Sequence, residues 1–112
     1  MPLTALLHAP DLGATRQFYQ SVLGFDVRDT AEGTLTVTQS GGTLIFTASH
    51  PWGSSPGFSG TLYFTVPNVD EYFALVHDKV DVVWPLQDMP YGSREFGIRD
   101  CNGYHLAFQQ QA

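Results

Sequence analysis

The apolar positions switch between a strand-like and a helix-like spacing, and the same succession occurs twice. Leu3 to Ala9 is a short apolar segment that reads as a strand partly buried on both faces, and Pro10-Asp11 stops it. Asp11 is a good N-cap for a helix that sets Leu12, Thr15, Phe18, Tyr19, Val22 and Leu23 three and four apart along one face. Gly24 is placed to end that helix. Phe25-Asp26-Val27-Arg28 alternates, Asp29 to Gly33 turns, and Leu35 and Val37 alternate with threonines. Ser40-Gly41-Gly42 makes a tight hairpin into the returning strand, Thr43 to Ala48. The order is β-α-β-β-β.

The pattern then restarts. Gly60 to Val66 reads as a strand stopped by Pro67-Asn68, and Asn68 with Glu71 has the spacing of a capping box. Val69, Tyr72, Phe73, Val76 and Val80 give the following helix its apolar face. Val82-Val83-Trp84 is the next strand and Pro85 to Pro90 a loop. A hairpin completes the module: Phe96 and Ile98 alternate with polar neighbours, Asp100-Cys101-Asn102-Gly103 turns, and Tyr104, Leu106 and Phe108 alternate again. Between the copies, His50-Pro51-Trp52-Gly53-Ser54-Ser55-Pro56-Gly57 is a linker or a mobile binding loop. The expected organisation is one domain, 1–112, with module one at 1–48, a linker at 49–59 and module two at 60–112.

The repeat is visible residue by residue. Thr4-Ala5-Leu6-Leu7-His8-Ala9-Pro10-Asp11-Leu12 aligns with Thr61-Leu62-Tyr63-Phe64-Thr65-Val66-Pro67-Asn68-Val69. Gly42-Thr43-Leu44-Ile45-Phe46 matches Gly103-Tyr104-His105-Leu106-Ala107 at a slightly larger offset. Each half is too small to bury a sheet face alone, so the halves should pair their sheets or exchange partners between chains.

Composition narrows the function classes. At 112 residues, 43% hydrophobic and 14% charged, the chain is a folded globular one with room for a single core. Five Lys+Arg against eleven Asp+Glu give a net charge of −6, which excludes a basic nucleic-acid surface. No apolar run approaches the roughly 20 residues that span a bilayer. With no basic leader visible at the N-terminus, a cytoplasmic protein is expected. The single cysteine, Cys101, cannot form an internal disulfide.

Several stretches together resemble the vicinal oxygen chelate superfamily, which includes glyoxalase I, fosfomycin resistance proteins, extradiol dioxygenases and bleomycin resistance proteins. The carrying residues are Asp11-Leu12, Phe18-Tyr19, Leu23-Gly24-Phe25, Tyr91-Gly92 through Arg94-Glu95-Phe96, and Asp100-Cys101-Asn102-Gly103-Tyr104. Cys101 departs from the proline usual in that turn. The resemblance implies an α+β fold of two tandem βαβββ modules, with curved mixed sheets around a cleft completed in a homodimer. It also implies a choice between metalloenzyme and metal-free binder, because the fold hosts both.

The site residues decide that choice. In metal-dependent members the ligands stand on the first and last strands of each module, at positions that the resemblance maps to Thr4, Phe46, Thr61 and Ala107. A divalent site needs about three imidazole, thiolate or carboxylate ligands. Those four supply none, so no metal and no cofactor is expected. His8 and His105 point to the cleft side by strand alternation, as a partial substitute or as plain polar residues. His50 and His77 carry no role, and neither a nucleophile elbow nor a phosphate loop is present.

The expectation is a metal-free binding protein resembling the bleomycin resistance proteins, sequestering a planar or cationic small molecule in an aromatic-lined cleft. Phe46 and Tyr63 would line the cleft face, Trp52 and Trp84 would close over it, and His8, Arg94 and His105 would orient polar groups. The alternative is a glyoxalase- or dioxygenase-like enzyme with a relocated metal site, which needs His8, His105 and a carboxylate such as Glu95 to converge. A third reading is an interaction module with a vestigial cleft.

Overall fold

In the computed structural model, residues 3–31, 33–39, 41–49 and 60–111 are described; Trp52, expected to close over the cleft, lies outside them. The chain divides into two units, Met1–Ser59 and Gly60–Ala112, and each carries one copy of the repeat. The first contains β1 (Thr4–His8), α1 (Leu12–Gln17), a π-helical turn (Phe18–Val22), β2 (Asp26–Asp29), β3 (Thr34–Gln39) and β4 (Gly42–Thr47). The second contains β5 (Thr61–Thr65), α2 (Val69–Val76), β6 (Asp81–Asp88), β7 (Ser93–Arg99) and β8 (His105–Gln111). The two sheets run β1-β4-β3-β2 and β5-β8-β7-β6, so in each the first strand pairs parallel to the last. Two βαβββ modules in an α+β fold are what the repeat implied.

Local chemistry starts both helices. Asp11 accepts a hydrogen bond from the Ala14 amide at 3.0 Å, and Asn68 accepts one from the Glu71 amide at 3.1 Å. The first helix widens in its last turn, where the Leu23 amide bonds back five residues to the Phe18 carbonyl. Gly24 then takes φ 77°, a left-handed conformation that carries the chain into β2. In the last hairpin, Asp100 Oδ1 accepts from the amides of Asn102 (2.9 Å) and Tyr104 (2.7 Å), which fixes the turn.

Each sheet turns one face to its own helix. In the first unit that face carries Leu7, Leu35, Val37, Leu44 and Phe46, all buried, with the Tyr19 ring 5.1 Å from the Phe46 ring. Its opposite face is rich in threonine: Thr4, Thr34, Thr36, Thr38, Thr43 and Thr47 share it by register. In the second unit Phe64, Phe96, Ile98, Leu106 and Phe108 are buried on the helix side, where Tyr72 and Phe73 of α2 meet Phe108 and Phe96 edge-on at 4.9 Å.

Two expectations need correction. The segment after Trp84 is not a loop from Pro85: β6 runs on to Asp88. It is the outer strand of its sheet, where a proline without an N–H costs no ladder bond. The second correction concerns the repeat. Thr4 stands beside Thr43 in the first unit, whereas Thr61 stands beside His105 in the second. Thr43 therefore corresponds to His105 rather than to Tyr104, and Phe46 to Phe108 rather than to Ala107. A slip of one residue reverses every face assignment in a strand. No helix among the described residues is long and apolar enough to cross a membrane.

Candidate functional site

The open face of the second sheet, away from α2, brings together the side chains with chemistry. Register places Tyr63, Ala107, Gly97 and Trp84 in one row across β5, β8, β7 and β6. Beside it run Thr65, Gln109, Glu95 and Gln87. The middle of the first row has almost no side chain, which lets the two edge aromatics lean inward.

Both lean toward Glu95. This carboxylate is 0% exposed, a costly place for a charge unless hydrogen bonds replace its water. Its Oε2 accepts from the Tyr63 hydroxyl at 3.3 Å and from the Trp84 indole N–H at 3.2 Å, and its Oε1 accepts from the Tyr91 hydroxyl at 2.8 Å. None of the ion pairs among the described residues involves Glu95. Three neutral aromatic donors hold it instead. The hydrogen bond to Glu95, and next the one with Tyr63, pushes the Tyr91 hydroxyl well above the ordinary tyrosine range, since ionising it would break the bond and set two negative charges together.

Trp84 reaches Glu95 because of two features of the backbone. The β6–β7 register shifts between Val82 and Trp84 and again between Trp84 and Gln87. The first shift takes Trp84 off the face Val82 shares with Ile98 and sets it opposite Gly97, the re-aiming that a β-bulge performs. At Gly97 a Cβ would collide with the indole ring carbons, so the ring lies against bare backbone. Tyr91 arrives from the turn between β6 and β7, closed by the Met89 carbonyl accepting from the Gly92 amide at 3.0 Å with Gly92 at φ 88°.

The residues singled out in the sequence fall in different places. Tyr63, Trp84 and His105 share the open face of the second sheet, with half-buried His105 opposite Arg99. His8 lies half-buried on the threonine-rich face of the first unit. Phe46 does not line that face: it is 0% exposed on the opposite side, paired with Leu7 and packed on Tyr19. Arg94 shares the parity of Phe96 and Ile98, not of Glu95. It is held by Asp70 on α2 at 2.9 Å and by Asp88 at 3.2 Å. Trp52 lies outside the described residues. Glu95 is legible in the sequence only as a conditional metal ligand, and Tyr91 and Gly97 carry no site signal of their own there. The alternation Glu95-Phe96-Gly97-Ile98 carried the signal, since it sets Glu95 and Gly97 on the face that Phe96 and Ile98 leave.

With the faces corrected, the positions that the resemblance assigns to metal ligands are Thr4 and Ile45 in the first unit and Thr61 and Ala107 in the second. Two hydroxyls and two hydrocarbons do not fit a divalent ion. No group of three His, Cys, Asp or Glu side chains among the described residues is arranged to hold one. A groove of about 420 Å³ in the first unit, beside the exposed Arg16–Asp29 ion pair, is lined by Leu12, Thr34 and Leu35 and gathers no comparable chemistry.

A family model described as the Glyoxalase/Bleomycin resistance protein/Dioxygenase superfamily matches residues 3–108. Among solved structures, TioX from Micromonospora sp. ML1 is similar at 24% identity with a TM-score of 0.81, over 100% of this chain and 99% of that one. A glyoxalase/bleomycin resistance protein/dioxygenase from Alicyclobacillus acidocaldarius is similar at 18% identity and a TM-score of 0.79, over 99% and 91% of the two chains. The virulence protein STM3117 from Salmonella typhimurium matches at 18% identity and a TM-score of 0.77, over 97% and 94%. No curated protein matches by sequence.

Proposed function

The chain belongs to the Glyoxalase/Bleomycin resistance protein/Dioxygenase superfamily, and from the side chains on its second sheet we propose that it is a metal-free small-molecule binding protein. It holds a planar or cationic ligand against the face formed by Tyr63, Trp84 and Tyr91. The observation that carries this reading is the Glu95 cluster: three aromatic side chains fixed in place by one buried carboxylate. Tyr63 is 48% and Tyr91 64% exposed, so their rings present fixed surfaces for a flat partner. Locking the rings beforehand lowers the ordering cost of binding. The relocated-metal enzyme would spend Glu95 as a ligand, where a metal ion would compete with three aromatic donors for its oxygens. The same reading includes a cytoplasmic homodimer, the dimer to be checked by sedimentation and the location by cell fractionation.

The test is a thermal-melt series on metal-stripped protein with Zn²⁺, Ni²⁺, Mn²⁺, Fe²⁺ or bleomycin added singly. A ligand at about 100 times its Kd contributes roughly 2.7 kcal/mol of stability. Stabilisation by bleomycin or another flat heterocycle, with none by the metals, supports the binder. A shift with one metal, accompanied by turnover of a glyoxalase or catechol substrate, overturns it.

A further inference from the structure

We propose that Glu95 makes this face select flat organic cations over neutral rings of the same shape, its charge acting through the aromatic side chains that hydrogen-bond to it. The inference rests on the binding reading above and goes beyond it by assigning the ligand's charge and the residue that reads it.

Three observations lead there. Glu95 is fully buried and has no cationic partner among the described residues, so its charge is screened by neutral donors and offset by none. Tyr63, Trp84 and Tyr91 all aim their polar ends inward at it, while the rings of Tyr63 and Tyr91 stay substantially exposed. A ligand therefore meets the rings first and the carboxylate only through them.

The chemistry follows from that order. A phenol or indole that donates to an anion gains electron density in its ring, and the negative face that attracts a cation deepens. The unbalanced charge adds a Coulomb attraction across the depth of a ring. A cation needs no N–H group to benefit, because it does not touch the carboxylate; a quaternised heteroaromatic ring suffices. The chain's net charge of −6 favours the approach of such ligands.

N-methylacridinium and acridine form a matched pair, the first a permanent cation and the second neutral in mildly alkaline solution. Calorimetric titration of the wild-type protein should show the cation binding about tenfold more tightly. In Glu95→Gln the ratio of the two constants, both measured on the same variant, should fall toward one. Tyr91→Phe keeps the ring and removes one hydrogen bond to Glu95; it should lower the ratio severalfold and serves as the deciding variant where Glu95→Gln does not fold. Equal affinities in the wild type, or an undiminished ratio in the folded variants, overturns the role of Glu95 and leaves the binding reading standing. Failure of both probes, and of bleomycin, overturns both.

Discussion

The indole of Trp84 lies against the backbone of Gly97, in the space any other residue would fill with its Cβ. The contact joins a bulge on an edge strand to the carboxylate at the centre of the site, because the same indole donates to Glu95. Gly97→Ala should cost about 1–3 kcal/mol through overpacking. In a Trp84→Ala background the same substitution should be neutral or slightly stabilising, since alanine restricts the unfolded chain. Urea unfolding of the four proteins in this cycle measures the coupling; additive costs would show that the ring does not rest on Gly97.

Phe46 is a core residue of the first unit, so its truncation is a stability experiment. Phe46→Ala should lose about 3–5 kcal/mol, a large share of the roughly 5–15 kcal/mol typical of a domain. Guanidinium denaturation reads it directly. A loss below about 1 kcal/mol would take Phe46 out of the Tyr19 cluster.

Asp70 ties the first turn of α2 to Arg94. The hydrogen bonds from Arg94 hold the Asp70 carboxyl below the ordinary carboxylate range. A lowered folded value means the stabilisation is present above the unfolded carboxyl pKa, about 3.9, and is lost as pH falls through the folded one. Asp70→Asn should therefore trail the wild type in urea midpoint at neutral pH, with the gap closing in acid. A gap that persists unchanged in acid would contradict the ion pair's role. Added salt should narrow the gap at neutral pH, because the pair is exposed.

Alkaline pH tests the other end of the scale. Tyr91 is held protonated chiefly by its hydrogen bond to Glu95, and Tyr72 by burial. For groups whose folded pKa is raised, the stabilisation is complete below the unfolded value, about 10, and is lost as pH rises through the folded one. The wild type should begin to lose stability near pH ~10. Tyr91→Phe should lose it less steeply, with Tyr72 supplying the remainder. Identical slopes in a series of urea midpoints would place the Tyr91 hydroxyl in solvent.

Local signals carried the sequence reading far. Asp11 and Asn68 announce their helices because a cap is satisfied within three residues of itself, and Asp100-Cys101-Asn102-Gly103 announces its turn for the same reason. Relations between strands were harder to read. Two glycines stand side by side at the first hairpin, and the one that corresponds to Gly103 is Gly41, with the same left-handed φ, not Gly42; that single step decides which face Phe46 takes. The Glu95 site depends on two register shifts in β6 that leave no mark in composition, and on a proline that reads as a stop unless the strand is known to lie at an edge. Hydrogen bonds that span strands are set by the sheet, not by neighbours in the chain.

Pro85 also bears on how the protein behaves when crowded. A free strand edge is a template on which another chain can continue the sheet, the first step toward fibrous aggregates. β6 presents that edge with a missing donor at Pro85 and two breaks in register, so an arriving strand finds no unbroken ladder to copy. The bulges that aim Trp84 inward at Glu95 thus also stop sheet growth on that side, and a substitution that straightened β6 would risk insolubility along with the loss of the site.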